Sequence, residues 1–180
     1  MAYSKQTWSD GTTPLSAARM NYMETGIEVA TAPQDFPLAV LRQSATQPMA
    51  ASGWNQIFLD TEDIDTHNGH TGTTGLVSAR YTIPAGQSGI YRISACVNYN
   101  VAANQWVLAR IIKNLTVMPN SWGSGGGQGA NGGGAAFTEV IWALVAGDYV
   151  DLQGYCDQPT NTRPPGVDGG GCWMHVERIR

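Results

Sequence analysis

Tyr91-Arg-Ile-Ser-Ala-Cys-Val-Asn-Tyr99 is the stretch on which the fold turns. Tyr91, Ile93, Ala95, Val97 and Tyr99 alternate there with Arg92, Ser94, Cys96, Asn98 and Asn100. A period of two, with large apolar groups on one side and small or polar groups on the other, is the pattern of a strand with one face on a core. The turn-forming run Pro84-Ala-Gly-Gln-Ser-Gly89 precedes it, and Leu76 to Ile83 before that reads as a further strand.

The same reading extends in both directions. Trp54 to Leu59 is expected to be a strand, and Trp173 to Ile179 a last strand pinned by the sheet. Gly147 and Asp148 make a tight turn into Tyr149 to Cys156. Two segments differ from the alternating type. Trp106 to Lys113 is apolar on both faces apart from Arg110, and Ala135 to Val145 is two-sided as well, through Phe137, Val140, Ile141, Trp142 and Leu144. Strands apolar on both faces are covered on both sides. One face belongs to the core, and the other is expected to meet a second subunit, the alternative being a thick monomer core. Burial between subunits of the assembly is expected for Trp54, Trp106, Trp142 and Trp173. Three polar, Gly-rich or Pro-rich stretches, Asp60 to Gly75, Pro119 to Gly134 and Asp157 to Gly171, read as loops. About eight strands separated by turn signals make an all-β sandwich or jelly roll.

Helix is expected only near the start. Thr12 and Thr13 offer caps, Pro14 suits a first helical turn, and Leu15 to Thr25 holds good helix formers. Leu15, Ala18 and Tyr22 form one line, Met20, Met23 and Ile27 an adjacent one, so the short element carries a wide apolar face. Such a helix is marginal alone and needs a partner. The organisation is then an arm with a docking or trimerising helix over 1–31, a linker and first strand over 32–53, and a head over 54–180.

Composition narrows the roles. The 180 residues carry a formal net charge of -4, with 42% hydrophobic and only 13% charged side chains. Ten scattered basic residues provide no clustered field for a phosphate backbone, so nucleic acid is not expected as a partner. No apolar run reaches the roughly 20 residues of a membrane span, and Met1 to Asp10 does not resemble a signal peptide, so no membrane insertion is expected. Cys96, Cys156 and Cys172 lack metal or redox spacing and read as reduced core thiols, with a Cys156 to Cys172 bridge left open.

Few residues point to chemistry. His67 and His70, flanked by Asp60, Glu62, Asp63 and Asp65, have the donor types of a cation site, but calcium-loop spacing is absent and a hydrated, outward binding loop is expected, with no metal. The Gly-rich run after Trp122 lacks the Lys-Ser/Thr of a phosphate loop, and no nucleophile elbow or zinc-protease helix occurs. Carboxylate pairs such as Glu62 with Asp63 fit solvated turns better than glycan hydrolysis. No enzyme activity and no cofactor are expected. Trp122, with Trp173 and the Tyr155 region, is the candidate aromatic surface for sugars or protein partners.

Two sets of motifs go further. The stretch Trp8-Ser-Asp-Gly-Thr-Thr-Pro-Leu-Ser-Ala-Ala-Arg-Met-Asn-Tyr-Met-Glu-Thr-Gly-Ile27 resembles the N-terminal helix of bacteriophage tail-fibre, minor tail and virion surface proteins. Tyr81-Thr-Ile-Pro-Ala-Gly, then Gly89-Ile-Tyr-Arg-Ile-Ser, Arg110-Ile-Ile-Lys-Asn114 and Leu144-Val-Ala-Gly-Asp-Tyr-Val-Asp-Leu152, in that order, resemble the C1q/TNF-like jelly roll, the last as a hairpin. The resemblance implies a homotrimer with a C1q-like head, made in a host cytoplasm and carried on a virion. It further implies docking to other phage proteins of tail, baseplate or capsid, and a tail-associated role in binding a host surface glycan or protein. Capsid decoration or a head fibre is the alternative.

Overall fold

A computed structural model describes residues 17–31, 36–70, 79–101, 104–126, 133–163 and 171–180, with backbone alone at 17 and 26–31. The chain divides into two compact units, Met1–Asp35 and Phe36–Arg180. In the first, α1 (Ala17–Thr31) continues through Gly26. Thr25 donates its hydroxyl to the Asn21 carbonyl one turn back, at 2.9 Å. The expected start at Pro14, with Leu15, lies outside the described residues.

The second unit is built of β1 (Leu38–Arg42), β2 (Pro48–Met49), β3 (Gly53–Gln56), β4 (Thr61–Asp65), β5 (Arg80–Thr82), β6 (Gly89–Tyr99), β7 (Trp106–Lys113), β8 (Thr116–Gly126), β9 (Gly134–Leu144), β10 (Tyr149–Cys156), β11 (Thr160–Asn161) and β12 (Trp173–Arg178). The first sheet runs β4-β1-β12-β6-β9 and the second β3-β10-β7-β8, with β5 also on β10. A two-stranded ribbon, β11-β2, is joined to the end of β6 by the Asn100 amide on the Asn161 carbonyl, at 2.8 Å. The chain passes from one sheet to the other at β6 to β7, β8 to β9 and β9 to β10, which is the crossing pattern of a jelly roll.

Alternation decides which side chains meet between the sheets. Tyr91, Ile93, Ala95, Val97 and Tyr99 of β6 are all fully enclosed, as the sequence indicated. Val107, Ala109 and Ile111 of β7, Val150 and Leu152 of β10, and Met174 and Val176 of β12 join them in one core. Cys96, Cys156 and Cys172 are buried free thiols. Burial pushes the Cys172 thiol up to about 12.

Two turns are clasped together. Asn114 and Leu115 both have positive φ, 48° and 66°, and form the two-residue connection between β7 and β8. Asn114 donates to Asp148 Oδ1 at 2.7 Å and accepts from the Tyr149 amide at 2.9 Å. Lys113 Nζ lies 2.7 Å from Asp148 Oδ2, which also takes the Val145 amide at 2.8 Å. The Lys-Asn and Gly-Asp motifs are therefore two halves of one lock. Here the structure corrects the reading of Leu144 to Leu152 as a hairpin: β9 and β10 belong to different sheets, and the turn carries the chain across.

Two loop expectations are also corrected. Thr61–Asp65, within the proposed Asp60 to Gly75 loop, is the edge strand β4, paired with β1. Residues 119–126, within the proposed Pro119 to Gly134 loop, belong to β8. The reason is close packing. A Cβ on Gly123 would fall on the carbonyl of Phe137, and one on Gly125 on that of Ala135. Absence of side chains at these positions lets β8 come against β9, whose Thr138 hydroxyl donates to the Ser121 carbonyl at 2.6 Å.

Gly123→Ala should accordingly force the two strands apart and destabilise the head by about 2 kcal/mol or more, read as a lowered thermal midpoint. An unchanged midpoint would contradict this packing.

Asp148 and Asp151 give opposite pH dependences. Burial alone would raise the Asp148 pKa, but Lys113, the Val145 amide and Asn114 outweigh it and hold the carboxyl below its usual range. Its contribution is present above the unfolded-state pKa and is lost as pH falls. Asp151 is 1% exposed, and among the described residues neither of its carboxylate oxygens accepts a hydrogen bond. Burial raises its pKa to about 6, against the pull of Arg80, whose Nε is 3.5 Å away. The fold thus favours the protonated acid, so this contribution is present below the ordinary carboxylate pKa and lost as pH rises to about 6. Asp151→Asn should gain stability relative to the native chain between pH 4 and pH 7, by on the order of 2 to 3 kcal/mol. A difference that stays flat across that window would refute it.

Candidate functional site

The outer faces of the two sheets carry the features that point to partners. On the first sheet the register places Trp173 beside Cys96 and Cys96 beside Phe137, one row across β12, β6 and β9. The rings of Phe137 and Trp173 are 6.0 Å apart, and the Trp173 and His175 rings 4.5 Å. Two residues along from Glu139 comes Ile141, paired with Arg92, which in turn lies 3.7 Å from Glu177. Phe137 is 52% and Ile141 54% exposed. Trp142, in register with the inward-facing Tyr91, and Val145, just past the strand, are exposed as well but do not belong to this face. Large apolar side chains grouped in this way on a sheet face mark a contact surface. The outer face of Ala135 to Val145, read from the sequence as a subunit contact, holds the exposed Phe137 and Ile141 on either side of Glu139 in the single chain.

The outer face of the second sheet carries a different group. Trp54 on β3 is in register with Tyr155 on β10, and Arg110 on β7 is in register with both Gln153 and Trp122. The Trp54 and Trp122 rings meet edge to face at 5.1 Å, and the Tyr155 ring is 5.6 Å from Trp54. The Arg110 guanidinium lies over the Trp54 ring at 3.8 Å and donates from Nε to Gln153 Oε1 at 2.8 Å. Burial lowers the Arg110 pKa. Trp122 is 56% exposed, and Trp106, further along β7, is 58% exposed.

The residues singled out from the sequence are distributed unevenly over these surfaces. Trp122 faces outward, but from a strand rather than a loop. His70 does not face outward. It is buried, with Nε2 2.8 Å from the Leu59 carbonyl and Nδ1 3.2 Å from Glu62, while its amide donates to Asp65. The Leu59 carbonyl can only accept, so Nε2 carries a proton, and the ring serves to tie down β4. His67 is half-buried, with Nδ1 2.8 Å from the Thr66 hydroxyl. Among the described residues no group of three or more His, Cys, Asp or Glu is placed to hold a metal ion. On α1, Ala18, Tyr22 and Met23 are exposed and Met20 is half-buried; Ile27 is helical in backbone, and Leu15 lies outside the described residues. No helix among the described residues is long and apolar enough to cross a membrane.

In the single chain Trp106 and Trp142 are exposed and Trp54 and Trp173 half-buried; the burial expected for them is one between subunits. Arg110 and Gln153 were not recognised as site residues. The available signal was positional: Trp106, Leu108 and Arg110 share one parity on β7, and Gln153 and Tyr155 share one on β10.

No family model matches the chain, and no curated protein is similar to it in sequence. Solved structures are similar in fold. Murine APRIL aligns with a TM-score of 0.56 at 7% identity, covering 81% of this chain and 100% of that one. The globular domain of zebrafish complement 1qA protein gives 0.52 at 8% identity over 80% and 98%. The PRD1 vertex protein P5 gives 0.56 at 14% identity over 80% and 97%. With its two main antiparallel sheets and, among the described residues, one α-helix ahead of them in the sequence, the chain has an all-β jelly-roll fold of the TNF and C1q type.

Proposed function

We propose that this chain is a surface protein of a bacteriophage particle, a homotrimer that assembles through the outer face of its first sheet. The observation that carries the proposal is the exposed apolar row of Phe137 and Ile141 beside Trp173. Covering such side chains removes apolar area from water at about 25 cal/mol per Å², and closed cyclic symmetry lets one patch be satisfied in every copy. The virion assignment rests on the resemblance of the N-terminal stretch, and the fold of the PRD1 vertex protein supports it.

The arm and α1 dock the trimer to other virion proteins of tail, baseplate or capsid, through the apolar positions Leu15, Ala18, Met20, Tyr22, Met23 and Ile27. Tyr22 is 81% and Met23 55% exposed, so a partner has side chains to cover. The second sheet is left to face outward in a tail-associated role of host-surface binding, as a minor tail protein or short fibre. The role is binding and structural, not catalytic.

Light scattering on the purified chain should give about three times the 19.2 kDa chain mass. The double substitution Phe137→Glu and Ile141→Glu should reduce it to that of one chain, with an unchanged circular dichroism spectrum. A native chain that stays monomeric at tens of micromolar, or a double variant that remains trimeric, would overturn the assembly surface.

A further inference from the structure

We infer that the cluster of Trp54, Trp122 and Arg110 on the outer face of the second sheet binds an acidic saccharide, with the sugar ring on Trp122 and its carboxylate on Arg110. The first support is charge. Four other cations of the head sit beside carboxylates: Arg42 by Asp63, Arg80 by Asp151, Arg92 by Glu177 and Lys113 by Asp148. Among the described residues Arg110 has no such neighbour; its one polar partner is a neutral amide, Gln153. Arg178 also bonds a neutral amide, Gln87, but through a terminal nitrogen, so its donor pair is already engaged.

The second support is geometry. Stacking on Trp54 at 3.8 Å and the Nε bond to Gln153 fix the guanidinium plane. Neither terminal nitrogen has a hydrogen-bond partner among the described residues, so a pair of parallel donors is held ready for a planar carboxylate. The Trp122 ring, 5.8 Å from the same guanidinium, gives an exposed aromatic surface next to those donors. Aromatic rings stack on the apolar faces of sugars, and a neutral sugar would leave the cation unanswered. Trp106, four residues along β7 from Arg110 and so about 13 Å away, leaves room for more than one sugar unit.

The site would serve the host-surface role proposed above, and it can be absent while the trimer stands. The test uses the full chain and four probes: tetragalacturonate, a mannuronate tetramer, a glucuronate-N-acetylglucosamine tetrasaccharide and sialyllactose. Each is titrated beside its carboxyl methyl ester, by calorimetry and tryptophan fluorescence, with light scattering to read assembly. At least one acid should bind tenfold or more tighter than its ester. Arg110→Gln should remove that preference, and Trp122→Ala, a change at an exposed position, should weaken acid and ester alike by tenfold or more. No binding by any of the acids, equal binding of acid and ester, or binding that survives both substitutions would overturn the inference. A normal trimer mass in that case would leave the assembly proposal intact, whereas a monomeric native chain would strike at the assembly and not at this site.

Discussion

The five inward side chains of β6, from Tyr91 to Tyr99, are each fully enclosed, and the strand that carries them is paired with β12 on one side and β9 on the other. Burying a large apolar side chain is worth about 1.5 to 3 kcal/mol, so this one register accounts for much of the favourable energy of the head. A slip of one residue would turn Arg92, Ser94 and Asn98 into the core and put the tyrosines outside. The two tyrosines also fix the ends of the column. Tyr91 donates its hydroxyl to the Gln87 carbonyl and Tyr99 to that of Leu108, both at 2.5 Å. Burial raises both phenol pKa values, which keeps these hydroxyls as donors.

With the inward faces fixed, the outward faces follow from parity, and they differ in chemistry. The first sheet presents Phe137, Ile141 and Trp173 among charges that are largely paired, Arg92 with Glu177 and Arg42 with Asp63, a surface suited to another copy of the chain. The second presents Trp54, Trp122 and Tyr155 around a guanidinium. A chain with only 13% charged residues has little polar surface to spend elsewhere. The scarcity of charge noted in the composition has a structural counterpart in the exposed aromatic and aliphatic side chains that both outer faces carry.

The strands were legible where periodicity was strong. Trp106 to Lys113 matches β7 at both ends, and the Tyr91 to Tyr99 alternation matches its buried face residue for residue. Legibility failed where glycine was read as loop. Gly123 and Gly125 lie in a strand because their lack of side chains admits the β9 backbone, a long-range contact that no local pattern records. The acidic stretch before His70 failed for a related reason: β4 is an exposed edge, so its sequence stays polar while its backbone pairs with β1. Exposure of Trp122 could not be told from burial, since the glycines around it read as loop and leave no alternation to assign it a face. Arg110 was visible only as an exception in an apolar run, and its role depends on β3 and β10, which sequence alone does not bring to its side.

The central claim is that one outer face is closed by assembly and the other is open. Oxidative footprinting of the native chain in solution, read by mass spectrometry at single side chains, tests it directly. The expected result is protection of Phe137, Ile141 and Trp173 together with strong labelling of Trp122 and Trp106. Strong labelling of Phe137 and Ile141 with protection of Trp122 would contradict it, because the faces would then have exchanged roles.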